Sequence, residues 1–367
     1  MKGLVVTGPG EARYTEIERP RPRPGQALIR VKYAGICGGD PGHIARNAYG
    51  ASPEAPRVYG HEYFGEVIEI NNPEGLPSRV KVGDMVVGPQ NAPCGVCDQC
   101  MEGRFSICSA QYGAKVRPGG TFGEYLERDL DKLFPIAAEV DPLVASIAEP
   151  LAIAVFDIRN SGIGIGDTAL VIGAGSVGIL IGLLARHNGA SRVIFTEISD
   201  ARVESIRAMG FEAYNSITQD VREKVRETTF NGVDYVFEVS GSQPGLDLAL
   251  TVVRQRGRIV PVGLPNPFRS FDFGKVVEKE LEMVCVNMHH LEDFREAVNL
   301  INRGELNDEF RKLVTSIWPM ERALEAIEAS TDKSGGDIKI LLEPGRGEVT
   351  YFIPRTTAEG NCEEVAK

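Results

Sequence analysis

Ala169-Leu170-Val171-Ile172-Gly173-Ala174-Gly175-Ser176-Val177-Gly178 is the stretch on which the fold turns. A short apolar run passes into G-x-G-x-x-G, and Ile179 to Arg186 continues as an apolar helical run. The motif is weak alone and gains meaning from this strand–turn–helix context. Gly173 makes the tight turn, Gly175 lets the backbone approach a pyrophosphate, and Gly178 allows close helix–strand packing, with Val177 in the same turn. The phosphate then rests on the helix N-terminus. The next strand candidate, Arg192–Thr196, ends at Glu197, a carboxylate placed where the adenosine ribose hydroxyls lie. A negative charge there repels a 2′-phosphate, so NAD is expected; Arg202, within reach of such a phosphate, is the argument for NADP. The bland alternative is a glycine-rich turn with no ligand.

Outward from this turn the grammar repeats. From about residue 153, strand-like runs (169–172, 192–196, 234–239 and 258–262) alternate with helical patterns, which reads as βαβ units and a parallel sheet. The first ~150 residues instead carry short β-type runs broken by Gly and Pro, among them Ala27–Tyr33, Phe64–Ile70 and Asp84–Gly88. That spacing suggests an antiparallel barrel or sandwich. Past about residue 292 come helix-like Leu291–Arg303 and Met320–Ser330, then strand-like Asp337–Leu342. The last twenty residues are mixed and polar and carry no readable pattern. The expected class is α/β, a β-rich domain joined to a doubly wound parallel sheet, within a chain of 367 residues that is long enough for two domains.

Composition, at 43% hydrophobic and 25% charged, is that of a globular protein, and no apolar run reaches the ~18 residues that a bilayer requires. Met1-Lys2-Gly3-Leu4-Val5-Val6 runs straight into a strand-like segment, without the apolar core and cleavage site of a secretory signal. A net charge of −11 argues against nucleic acid or an anionic membrane as partner and favours an enzyme of small molecules. Seven cysteines, four of them clustered, fit a reducing compartment, so the cytoplasm is the expected location.

The cluster is Cys94-x2-Cys97-x2-Cys100-x7-Cys108. Four thiols so close can close on one tetrahedral structural zinc. A disulfide pair, buried free thiols and an iron–sulfur cluster are the rivals; against the last, Ser109 stands where ferredoxin-type runs carry proline. A closed site has no position for substrate, so chemistry is sought elsewhere. Cys37 follows a strand, His61-Glu62 lies a short segment later, and Glu149 sits in Ala148-Glu149-Pro150-Leu151-Ala152. Thiolate, imidazole and carboxylate with an open fourth position describe catalytic zinc. Singly, each has a bland reading: a buried thiol, a core histidine, a helix N-terminal acid.

Together these motifs resemble the zinc-containing medium-chain dehydrogenase/reductase family over nearly the whole chain to about residue 344. The residues that carry the resemblance are the Cys37 segment, Gly60-His61-Glu62, Val82-Gly83-Asp84-Met85-Val86, the four-cysteine lobe, Gly119–Tyr125 (which looks like the family's post-lobe strand), Ala148–Ala152 and Gly173–Gly178. The resemblance implies a GroES-like catalytic domain over 1–152 with the lobe at about 90–110. It implies a Rossmann NAD-binding domain over 153–292, a return to the catalytic domain over 293–345 and a tail over 346–367. It implies two zincs per chain, a homo-oligomer (dimer or tetramer), and an alcohol or carbonyl substrate on zinc in the interdomain cleft. Glu62 after the zinc-binding histidine looks like the sorbitol dehydrogenase branch, which makes Cys37, His61 and Glu62 the first-choice ligands and Glu149 a nearby carboxylate that exchanges with Glu62 or replaces water. Val286-Asn287 also looks like the glucose dehydrogenase branch, although Glu149 and Asp293 depart from its Gln and His.

The implied reaction moves a hydride between a secondary alcohol carbon of a polyol or sugar and nicotinamide, with zinc as Lewis acid. The chain departs from the family at the proton relay. Gly39 stands where a Ser or Thr hydroxyl is usual, and Gly42 where sorbitol dehydrogenase-like relatives place a histidine. His43, one residue later, is the candidate to take over; Asp40 is the candidate to orient a ligand. An amino-alcohol dehydrogenase of the threonine 3-dehydrogenase kind is the close alternative, and a non-catalytic NAD-binding relative the distant one. His289 and His290 are candidates for substrate contact or for packing. Cys285 is expected in a strand core and Cys362 as a free thiol of the tail.

Overall fold

Two ten-residue strands with buried inward faces form the spine of the N-terminal part. In chain order this part runs β1 (Lys2–Gly8), β2 (Glu11–Glu16), β3 (Gln26–Gly35), α1 (Asp40–Ala45), β4 (Arg57–Val58), β5 (Glu62–Asn71), β6 (Met85–Val87), α2 (Asp98–Met101), β7 (Tyr125–Asp129), β8 (Phe134–Pro135), α3 (Pro142–Ala145) and α4 (Ala148–Ser161). Strands β3 and β5 pair antiparallel along their lengths, with Gly35 opposite Glu62. Apolar residues alternate onto one face of these strands, which is what half-buried sheet requires; Ile29, Val31, Val67, Phe122 and Leu126 meet there in one core cluster. The computed structural model describes residues 1–75, 77–89, 93–109, 119–263, 270–332, 336–353, 355–356 and 362–363. Most of the expected tail falls outside these, as does the side chain of Cys362.

The chain forms two compact units: Met1–Ala152 with His289–Asp332 and Lys339–Lys367, and Ile153–Met288 with Lys333–Ile338. The second holds β9 (Thr168–Ile172), α5 (Ser176–His187), β10 (Arg192–Glu197), α6 (Asp200–Ala208), β11 (Glu212–Asn215), α7 (Val221–Thr228), β12 (Val233–Glu238), α8 (Gln243–Val252), β13 (Val253–Pro261), α9 (Phe273–Glu278) and β14 (Glu282–Met283). Its six strands lie parallel in the order β11-β10-β9-β12-β13-β14. The order reverses at β9, so the Gly173 turn sits at the topological switch point, where doubly wound sheets bind ligands. Residues Ala169, Leu170 and Val171 are wholly buried, as strands covered on both faces must be.

The first unit then receives α10 (Leu291–Arg303), α11 (Asn307–Arg311), β15 (Val314–Pro319), α12 (Ala323–Thr331), β16 (Lys339–Glu343) and β17 (Thr350–Tyr351). Strand β16 pairs with β3 through Leu341 opposite Gly35, which sets β16, β3 and β5 side by side in an eight-stranded sheet. That adjacency places the site.

Three expectations shift. Gly119–Tyr125 is not a strand until Tyr125, because Thr121 and Phe122 spend their amides on the carbonyls of Gly60 and Tyr59. The helix expected from Met320 opens as a 3-10 turn over Met320–Arg322 after Pro319 and is α-helical from Ala323. Cys285 is exposed and lies beyond the two-residue edge strand β14, so it is no strand-core residue.

Candidate active site

Strand β3 ends at Gly35 and β5 begins at Glu62, and the register of this pair brings Cys37, His61 and Glu62 together. One ligand atom from each lies within 4.8 Å of the other two, and His61 and Glu62 are buried. A tetrahedral ion with bonds of about 2.0–2.3 Å spaces its ligands roughly 3.3–3.8 Å apart, so the three atoms fit a zinc after small adjustments. Asp40, wholly buried at the start of α1, accepts the Cys37 N–H at 2.9 Å and faces His61 Nδ1 at 3.6 Å. A carboxylate behind a ligating histidine fixes its tautomer and orientation. Burial disfavours a charged His61, but the Cys37 sulfur and the Asp40 charge outweigh it and hold the imidazole well above its ordinary pKa while no ion is present.

Lys339 completes this group and was not singled out from the sequence. Its Nζ makes an ion pair with Glu62 Oε2 and donates to the Ile36 carbonyl at 2.9 Å. Lys339 and Glu62 are 0% and 1% exposed, so each charge depends on the other. Gly35 between them is a space requirement: a Cβ there would lie 2.9 Å from Lys339 Cε and against the Glu62 carboxylate. The one signal in the sequence was a lysine interrupting the apolar run Ile338-Lys339-Ile340-Leu341-Leu342.

The gap at Gly39 is filled. Gly39 is the N-cap of α1 and His43 follows four residues later, donating its backbone N–H to the Gly39 carbonyl at 3.0 Å. Helical side chains lean toward the N-terminus and cover the residue four positions back. The His43 ring accordingly lies over Gly39, with Cε1 and Nε2 at 3.4 and 3.7 Å from the position a Cβ would occupy and Cys37 Sγ at 3.8 Å from it. Histidine at 42 would point elsewhere; the one-residue offset is what brings the imidazole here.

Glu149 stands in the first turn of α4 and is not part of the cluster of three. Burial raises its carboxyl, yet His289 and His61 outweigh this and hold its pKa below the ordinary value. His289 is 1% exposed, with Nε2 at 3.7 Å from Glu149 Oε1. It therefore contacts Glu149 rather than solvent. His290 receives the Ser106 N–H at 3.4 Å on its Nδ1 and caps α10, with its own N–H given to Asp293 at 2.8 Å.

The four lobe sulfurs lie within 4.8 Å of one another, with Cys94–Cys100 at 4.0 Å and Cys97–Cys108 at 3.9 Å. Those separations are far from the roughly 2.05 Å of a disulfide and near the ~3.8 Å expected around tetrahedral zinc. Backbone amides of Cys100 and Ser109 bring the Cys97 thiol down to about 6, toward the thiolate that a metal needs. In the second unit, Gly173 adopts φ +103°, open to glycine, and a side chain there would press on Ser240. Nothing lies within 4 Å of a Cβ at Gly175, and α5 begins there without a side-chain cap, which leaves amides for a pyrophosphate. Glu197 accepts N–H groups from Ala174 at 2.8 Å and Ile198 at 2.7 Å. Arg202, the residue weighed for a 2′-phosphate, is buried and donates to the Asp337 carbonyl.

Residues 23–138 match the alcohol dehydrogenase GroES-like domain and residues 176–303 the zinc-binding dehydrogenase domain. The chain is similar to a sorbitol dehydrogenase of Halalkalibacterium halodurans, 33% identical over 94% of this chain and 99% of that one. The chain belongs to the zinc-containing medium-chain dehydrogenase family. It is also similar to an L-threonine 3-dehydrogenase of Pyrococcus horikoshii, 32% identical over 84% of this chain and 89% of that one. Among solved structures it is similar to an alcohol dehydrogenase from Thermus sp. ATN1, 29% identical over 94% and 99% of the two chains, with a TM-score of 0.81. Within the family the chain falls on the sorbitol dehydrogenase-like branch and is an oxidoreductase of CH–OH groups that uses zinc and a nicotinamide cofactor. Among the described residues no helix is long and apolar enough to cross a membrane.

Proposed function

We propose that this dehydrogenase oxidises a secondary alcohol of a polyol or sugar with NAD⁺, using one zinc held by Cys37, His61 and Glu62 and a second held by Cys94, Cys97, Cys100 and Cys108. The observation that carries the reading is the convergence of the three ligand atoms within 4.8 Å where β3 ends and β5 begins, beside Asp40 and Lys339. Residues 1–152 with 293–345 serve as the catalytic domain and 153–292 as the nucleotide domain; resemblance to zinc-lobe relatives favours a homo-oligomer, and the cysteine usage favours the cytoplasm. Zinc, when bound, supplies Lewis acidity at the substrate hydroxyl, and nicotinamide takes the hydride.

The remaining work falls to the chain itself. His43, half-buried beside Cys37 Sγ, accepts the hydroxyl proton and passes it to solvent, in place of the hydroxyl that Gly39 lacks. Gly173, Gly175, Val177 and Gly178 shape the turn for the pyrophosphate. Arg202, folded inward onto the Asp337 carbonyl and against Glu197 at 3.9 Å rather than toward a 2′-phosphate, and the carboxylate of Glu197 itself favour NAD over NADP. The test is NAD⁺ reduction, followed optically, across polyols, inositols, aldoses, sugar acids and L-threonine, with NADP⁺ in parallel. Turnover of a polyol or sugar with NAD⁺ supports the reading; turnover of threonine alone moves the chain to the amino-alcohol class. Silence across the panel with zinc and NAD bound overturns catalysis.

A further inference from the structure

The chain holds two Asn–Gly pairs, Asn188-Gly189 and Asn231-Gly232, and both lie in the second unit. Such a pair is open to intramolecular attack on the asparagine side chain, because glycine puts no side chain beside its own nitrogen. Both asparagines are exposed, so access of solvent does not separate them. Hydrogen bonding does.

Asn188 closes α5 and is held on both sides. Its backbone N–H goes to the Leu184 carbonyl at 2.8 Å and its side-chain amide to the Ile163 carbonyl at 2.5 Å. The Gly189 nitrogen, which would have to attack, gives its hydrogen to the Arg186 carbonyl at 3.1 Å. Asn231 stands in the connection between α7 and β12, next to Phe230, which is 99% exposed. Among the described residues no hydrogen bond holds the Asn231 side chain or the Gly232 N–H. Glycine is required at 232: φ is +100°, and a Cβ there would lie 2.3 Å from the Val252 carbonyl oxygen. The turn thus fixes glycine after an unrestrained asparagine.

We propose that Asn231 is a site of spontaneous modification in the folded protein, its carboxamide passing to aspartate and isoaspartate, while Asn188 is protected. The Gly232 nitrogen attacks Asn231 Cγ. The N–Cγ bond forms, the Cγ–Nδ2 bond breaks, and ammonia leaves with the proton of the Gly232 amide. Water then opens the five-membered imide. Cleavage of the N–Cγ bond leaves aspartate. Cleavage between the same nitrogen and the Asn231 carbonyl carbon leaves isoaspartate, whose main chain runs through the former side chain. Nothing is oxidised or reduced, and the new acid gives its proton to solvent, which adds one negative charge. Isoaspartate lengthens the main chain by a carbon beside Gly232, where the Val252 carbonyl leaves no room, so the start of β12 loosens. The Gly173 turn follows the far end of the neighbouring parallel strand β9, so nucleotide binding is kept.

The test holds the full-length protein at mildly alkaline pH, folded and in urea, and follows both pairs by peptide mass mapping with isoaspartyl methyltransferase labelling. Hydrogen bonds that must open first slow a local reaction, so in the folded protein Asn188 should convert about tenfold or more slowly than Asn231. In urea the two rates should come together. Asn231→Ser should abolish the fast release of ammonia and leave the slow one. Modified protein, separated by its added charge, should unfold at lower urea with its NADH affinity unchanged. Equal rates at the two pairs in the folded protein would overturn the proposal, as would an Asn231 rate that climbs about tenfold in urea, the mark of a protected site. Modified protein that unfolds with the parent would overturn the loosening of β12.

Discussion

Replacing Lys339 with methionine strips a fully buried carboxylate of its countercharge. The Glu62 and Lys339 side chains are 1% and 0% exposed, so solvent does not compensate the loss. Removing one partner of a buried pair costs about 3–5 kcal/mol, far above the ~0–1 kcal/mol of a surface pair. The Ile36 carbonyl also loses its donor. In zinc-free protein at neutral pH the unfolding equilibrium of the first unit should therefore shift by a factor of about 10²–10⁴, with 1.36 kcal/mol to the decade. With zinc bound, the ion supplies the positive charge, and the loss should fall to about 1–2 kcal/mol, the range for one carbonyl left unpaired. Trp318 is the chain's single tryptophan, is buried on β15 and pairs with Leu342 of β16, so its fluorescence reports this sheet. Urea unfolding read at Trp318, with and without chelator, should show the midpoint of Lys339→Met lower by roughly 1–2 M without zinc and by only about 0.3–1 M with it, for a slope of about 2–3 kcal/mol/M. A zinc-free midpoint within about 0.2 M of wild type, or equal losses in both states, would refute the reasoning.

Other perturbations follow from the same geometry. Gly35→Ala forces a Cβ to 2.9 Å from Lys339 Cε; about 1–3 kcal/mol of overpacking strain and a drop in zinc held at Cys37 are expected, read by unfolding and metal analysis. His43→Ala should lower kcat by roughly 10²–10⁴ with NAD binding intact, and Gly39→Ser in that background should recover part of it; an unchanged kcat would remove His43 from the relay. Glu197→Ala removes the carboxylate proposed for the ribose site and should move the kcat/KM ratio of NAD⁺ to NADP⁺ toward NADP⁺ by about tenfold, worth ~1.4 kcal/mol; a fixed ratio would contradict its role. Cys97→Ser should release one zinc per chain and open residues 93–109 to proteolysis while the second unit keeps its nucleotide affinity.

Much of this was legible in the residues, and the remainder was hidden for physical reasons. The βαβ grammar showed because strands buried on both faces must be continuously apolar, as Ala169–Ile172 is. Clustered cysteines showed because four soft ligands so close in sequence have few other uses. Lys339 and His289 were harder: their partners, Glu62 and Glu149, lie far away along the chain, and only the pairing of β16 with β3 and the return through α10 bring them together. Cys285 misled because an apolar neighbourhood resembles a strand core, whereas β14 is a two-residue edge. The His43 offset was visible as a departure at Gly39 and Gly42, but its resolution needed helix geometry, in which residue 43 and not 42 lies over residue 39.

The most direct measurement is zinc content together with sorbitol-dependent NADH formation for wild type and Cys37→Ser. The expected result is two zincs per chain and turnover in wild type, and one zinc, no turnover and unchanged NAD binding in the variant. Equal zinc content in both, or turnover that survives the loss of Cys37, would contradict the assignment of Cys37, His61 and Glu62 as the catalytic metal site.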